Sequence, residues 1–166
     1  MDSQLQLLRR ELEAVLEDLK QGTISQAPAG KWNSEQILEH LYLTYQGTNR
    51  AATKCLETGK PLASRGKVGQ LLRKIVLIDF GYFPPGRKAP ERVVPRGLAH
   101  EEVAATILPE LEKMDASLEA CERHFGKRTR ILDHPILGPL TSAQWRRFHL
   151  VHGRHHARQI RERSRR

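Results

Sequence analysis

LVHGRHHARQI, residues Leu150–Ile160, carries His152, His155 and His156, and His149 stands immediately before it. An α-helix turns by roughly 100° per residue, so positions three, four and seven apart share a side. His152 and His156 therefore project from one face, with His149 flanking them. Trp145, Phe148, Gln159 and Ile160 fall on the same arc, and Arg146, Leu150, Arg154, Arg158 and Arg161 fall mostly behind it. That arc is the one expected to be buried. A buried imidazole can be a neutral hydrogen-bonded core residue, a metal ligand or an acid-base group. Two of them at i and i+4 match two ligands of one transition-metal ion, and a polar core or a solvated helix end stays open beside that reading.

The rest of the chain sets this helix among others. Leu5, Leu8, Leu12, Val15 or Leu16, and Leu19 recur at helical spacing over residues 4 to 21, and Gly22 follows as a stop. A second helix is capped by Asn33 or Ser34, with Gln36 placed to complete a capping box. Its face runs through Ile37, Leu41, Thr44, Thr48 and Cys55 to Gly59. The third, from about Glu101 to His124, repeats Val103, Ile107, Leu111, Met114, Leu118, Cys121 and Phe125, and Pro109 is expected to kink it or delay its first turns. Thr141 with Gln144 announces the fourth. No segment alternates as strands do. The pattern predicts an all-α four-helix bundle, one domain over 1–166, with a long crossover between the second and third helices. In that crossover GKVGQLLRKIVLIDF reads as a short helix or buried connector, and the Pro- and Gly-rich stretch from Gly81 to Gly97 as an irregular candidate lid.

With 166 residues, 39% hydrophobic and 28% charged, the chain can bury a core without disulfides and is not expected to be disordered. Cys55 and Cys121 form no CxxC pair and read as small buried residues in a reducing compartment. The charged opening MDSQLQLLRRELEAVLEDLK is no signal peptide, and no apolar run reaches membrane-spanning length, so a cytoplasmic protein without membrane contact is expected. The net charge of +9 is concentrated in the arginines of the last helix. Without a nucleic-acid-binding motif beside it, this charge reads as a solvated cationic face.

A third metal ligand would come from a facing helix, and His40 is the candidate. Gln36 and Thr44 lie one turn to either side of it, and the small residues Gly47 and Ala51 further along leave room for a cavity. Here the sequence resembles a known family. The pattern W-N-x-x-x-I-L-x-H-L from Trp32 to Leu41, the segment H-P-x-x-G-P-L-T-x-x-Q-W from His134 to Trp145, and H-x-x-x-H-A-R-Q-I from His152 to Ile160 look like the DinB-like superfamily. The likeness spans about 130 residues in matching order, and it is closest to the branch with the HP-x-x-G-x-L-T element before its last helix.

The resemblance implies a four-helix bundle binding zinc or nickel through one histidine of the second helix and an HxxxH pair of the fourth. Carried over by position, His40, His152 and His156 become the ligands. Gln159 is then placed to reach ring nitrogens not used for the metal. His149 becomes a neighbour or core residue, and His155 a surface one. The resemblance further implies transfer of a low-molecular-weight thiol, of the bacillithiol, mycothiol or glutathione type, to an electrophilic small molecule. A metal-dependent hydrolase, a non-catalytic metal-binding bundle and, with least support, a nucleic-acid-associated protein are the alternatives. A homodimer is an admissible assembly that the residues do not decide.

Overall fold

The computed structural model describes residues 1–21, 27, 29–64 and 89–164. Gly22, the GKVGQLLRKIVLIDF segment and the part of the candidate lid from Gly81 to 88 lie outside the described residues. Four long helices carry the fold: α1 (Ser3–Gln21), α2 (Ser34–Thr58), α3 (His100–Phe125) and α4 (Ser142–Ser164). Helix α2 packs along α3, α1 packs along α4, and a contact between α2 and α4 joins the two pairs. No helix among the described residues is long and apolar enough to cross a membrane.

The apolar positions expected from helical spacing are those that face inward. Leu5, Leu8, Leu12 and Val15 of α1 are fully buried, and Leu16 and Leu19 pack at the edge. They meet Ile37, Leu41 and Tyr45 of α2 and Ile107, Leu111, Met114 and Leu118 of α3 in one continuous core. Removing each such side chain from water contributes about 1.5–3 kcal/mol, which holds the bundle together far more than intrinsic helix propensity does.

The helix starts follow from local chemistry. The Asn33 side chain accepts from the Gln36 amide at 2.8 Å while Gln36 Oε1 accepts from the Asn33 amide at 2.9 Å, a reciprocal capping box. Thr141 and Gln144 make the same pair of bonds before α4. Helix α2 ends where Gly59 turns left-handed at φ 64°, returning amides to the Cys55 and Leu56 carbonyls. Pro109 does not delay α3, which begins well upstream at His100.

Two expectations are corrected. The chain does contain strands: β1 (Arg130–His134) and β2 (Gly138–Thr141) form an antiparallel hairpin between α3 and α4. Its register shifts between Arg130 and Leu132, so that Ile131 is an extra residue on β1. The Ile131 carbonyl is thereby turned toward the crossover, where it accepts from the Leu62 amide at 2.9 Å and from the Cys55 thiol at 3.4 Å. Second, α4 is buried on more than one arc. Leu150, Gly153 and Ala157 are buried, and so is Arg146. The helix has α1 on the side the sequence reading left to solvent, so one apolar stripe is not enough for it.

Beyond the crossover the chain returns as a strap, residues 89–99, containing a short 3-10 turn at Glu91–Val93 that packs on α2.

Candidate metal centre

The site forms where α2 and α4 meet. His40 comes from the second turn of α2, and His152 and His156 come from successive turns of α4. His40 and His152 are buried and His156 is half-buried. One ligand-capable atom of each lies within 4.8 Å of the others. Their Nε2 atoms converge: His40 lies 3.3 Å from His152, and His156 lies 3.1 Å from His152. Two ligands held about 2.0–2.1 Å from a tetrahedral ion are roughly 3.3–3.4 Å apart, so the spacing fits one ion between them.

The opposite ring nitrogens explain why these atoms point inward as acceptors. His40 Nδ1 lies 2.7 Å from the Val93 carbonyl, which can only accept, so Nδ1 carries the proton and Nε2 keeps its lone pair. His156 Nδ1 lies 2.8 Å from Gln159 Oε1 with the same result, while the Gln159 amide nitrogen donates to His155 Nε2 at 3.1 Å. Two lone pairs thus face His152 Nε2, which can offer at most one proton to the pair. At least one of the two acceptors receives no proton from His152, and a cation placed between them would satisfy both.

Burial keeps all three rings neutral. It lowers the pKa of His40 against an opposing contribution from the Val93 hydrogen bond. It brings His156 down to about 3, with the nearby His40 adding to the effect. For His152, burial and then the neighbouring His156 and His40 push the value well below the ordinary one. Neutral imidazole is the form that ligates metal.

Aromatic rings support the cluster. Trp32 lies against His40 at a centroid distance of 5.0 Å, and Phe148 stacks on His152 at 5.1 Å with an interplanar angle of 17°. Behind Phe148 stands His134, 4.4 Å away, whose Nδ1 accepts from the Ile136 and Leu137 amides at 3.2 Å each. The hairpin therefore props the ring that props a cluster member. Sequence reasoning gave His134 no role of its own, although it opens the HPILGPLT segment.

The remaining candidates are distributed more widely. His149 is fully buried one turn before His152, with Nε2 3.1 Å from the Thr48 hydroxyl and its ring 5.4 Å from that of Tyr45. Gln36 is exposed and engaged in the α2 cap. The Thr44 hydroxyl donates to the His40 carbonyl at 2.7 Å. A Cβ on Gly47 would meet nothing within 4 Å, and Ala51 packs at the core edge. His155 is half-buried beside Gln159. Glu39, which periodicity alone does not single out, is buried and turned toward the strap. A charged residue immediately before a buried histidine was the available signal.

The family model for the DinB superfamily matches residues 4–160. The chain belongs to the DinB superfamily. No curated protein and no solved structure matches it. The match runs from α1 into the last turn of α4 of this DinB protein, and its histidine cluster could hold a metal ion.

Proposed function

We propose that His40, His152 and His156 bind one divalent cation, zinc or nickel, and that the protein is a metal-dependent enzyme joining a low-molecular-weight thiol to an electrophilic small molecule. The observation that carries the metal reading is the pair of lone pairs fixed by Val93 and Gln159 and turned toward one point. Three neutral imidazoles leave a coordination position for an exchangeable ligand, the arrangement of catalytic rather than closed sites. The half-burial of His156 leaves the cluster approachable from that side. A divalent cation held there would lower the pKa of a coordinated thiol and so supply thiolate at neutral pH.

The chain's own residues supply positioning and charge. His40 and His156 hold their lone pairs inward, Phe148 and Trp32 flank the cluster, and the strap brings exposed Arg92 near enough to His134 to depress that ring's pKa, after burial, to about 3. A cationic rim favours an anionic thiol such as bacillithiol or glutathione over short range. Many arginines of α4 are already occupied: Arg161 pairs with Glu11 and Asp18, Arg154 with Glu11, and Arg163 donates to the Trp32 carbonyl. This favours a small-molecule substrate over a nucleic acid. Free buried Cys55 and Cys121 agree with a cytoplasmic setting, and the family match from residue 4 to 160 with one domain.

Elemental analysis of freshly purified protein tests the site. We expect about one equivalent of metal, and strong loss in His152→Ala and His156→Ala; unchanged content in both variants would remove it. The reaction is tested by offering the metal-loaded protein several thiols with a generic electrophile, beside His40→Ala. A rate no higher than the variant's for every thiol would leave a metal-binding bundle without transferase chemistry, and turnover of an ester without thiol would reassign it as a hydrolase.

A further inference from the structure

Glu39 is a carboxylate 3% exposed, and the partners that hold it are backbone amides. Its Oε1 accepts from the Arg96 amide at 2.6 Å and its Oε2 from the Gly97 amide at 3.1 Å. The successive Arg96 and Gly97 amides aim at one anion, and Gly97, at φ 84° in the left-handed region open to glycine, turns the chain onward from them. A few residues earlier on the same strap, the Val93 carbonyl receives the His40 Nδ1 proton at 2.7 Å. Neighbouring residues of α2 thus grip one strap at two places, one through a charge and the other through a cluster imidazole.

We propose that Glu39 is a positioning residue for the metal centre: by clamping Arg96 and Gly97 it holds the Val93 carbonyl where it fixes His40 as the Nδ1–H tautomer, so that Nε2 is free for the cation. The proposal rests on the metal reading above and deepens it. A buried charge fastened to an otherwise irregular segment is costly unless well bonded, and two charge-assisted bonds satisfy it. Without the clamp the strap loses these charge-assisted bonds to α2, and the Val93 carbonyl is held on His40 less firmly. The ring then populates the Nε2–H tautomer, which cannot ligate through that atom. Partners that orient a ligand in this way typically contribute about 10–100-fold in metal affinity.

The test uses Glu39→Gln in the full chain with two readouts. In metal-free protein, nitrogen-15 correlation of the His40 ring should show the Nδ1–H tautomer in the parent and a mixture of both tautomers in the variant. In a chelator-buffered titration with Co(II), the variant should bind about 10–100-fold more weakly at an unchanged helical content. Arg96→Pro removes one amide donor from the strap side while leaving the α2 carboxylate in place, so it separates positioning from simple loss of negative charge. It should weaken Co(II) binding in the same direction, and the double variant should lose little more than Glu39→Gln alone. A His40 ring that stays wholly Nδ1–H in Glu39→Gln, or Co(II) affinity within twofold of the parent in both single variants, overturns the role of Glu39. Failure of the parent itself to bind Co(II) would overturn the metal reading, and the tautomer measurement would still decide the clamp.

Discussion

Gly153 shows how closely one residue can set the distance between helices. A Cβ there would overlap Leu8 Cδ1 and stand 3.3 Å from the Tyr45 hydroxyl. Leu8 and Tyr45 are both fully buried, so neither can swing into solvent to make room. Alanine would gain about 1 kcal/mol in helix propensity, but overpacking at this point costs about 1–3 kcal/mol and must win for the packing to be as described. Gly153→Ala is therefore expected to unfold at lower urea concentration than the parent, and an equal or higher midpoint would refute the close approach. Nothing in the sequence marks this glycine, because its necessity lies in Leu8 and Tyr45, which are far from it in the chain. Glu39 is hidden for the same reason: a glutamate in a helix reads as solvent-facing until the strap that covers it is placed. His40, His152 and His156 were legible because an i, i+4 spacing and a matching context around His40 are local signals.

Helices with clean apolar stripes could be read almost to their ends, since each stripe and each capping box is written in residues a few positions apart. The hairpin could not. Ile131 and Leu132 are both buried although adjacent, and the β2 residues Gly138, Pro139 and Leu140 are buried in a row, so neither strand alternates. Its two prolines and its shortness also read as loop. The opposite face of α4 was misjudged because Arg146 looked like a surface cation. It is instead buried between α3 and α4, donating to Asp115 at 2.8 Å and Glu122 at 2.6 Å, while Asp115 also accepts the Asp2 amide at 2.7 Å. These carboxylates hold the guanidinium in its charged form against the cost of burial. Arg146→Leu is expected to destabilise the protein by about 3–5 kcal/mol, since it strands the buried Asp115 charge. Adding Asp115→Asn should recover part of that loss in denaturant titrations; a strictly additive double variant would contradict the coupling of α3 to α4 through this pair.

Across the whole molecule the buried imidazoles make stability depend on pH in a definite direction. Burial brings His149 to about 3, with the nearby His134 adding to the effect, and His134 itself to about 3, against an ordinary value of 6.5. As pH falls below 6.5 the unfolded chain takes up protons that the folded chain refuses, so stability is full above pH 6.5, declines below it, and stops declining on this account near pH 3. Between pH 6.5 and about 5, above the usual carboxylate range, these histidines dominate the loss. Melting temperature measured with chelator present should fall across that interval, and His149→Phe should flatten the fall; a pH-independent melting temperature there would contradict neutral burial. The bundle also has a topology that an ion would alter. His40 and His152 stand 112 positions apart, so an ion bridging them would close most of the polypeptide into a ring. Cross-linking a loop of about 100 residues can restrict the unfolded chain by about 4.7 kcal/mol in the loop-entropy description, whereas His152 and His156 alone enclose a single helical turn. His40→Ala could thus still hold an ion on the HxxxH pair and yet lose nearly all of its effect on unfolding, because the ring would have been opened.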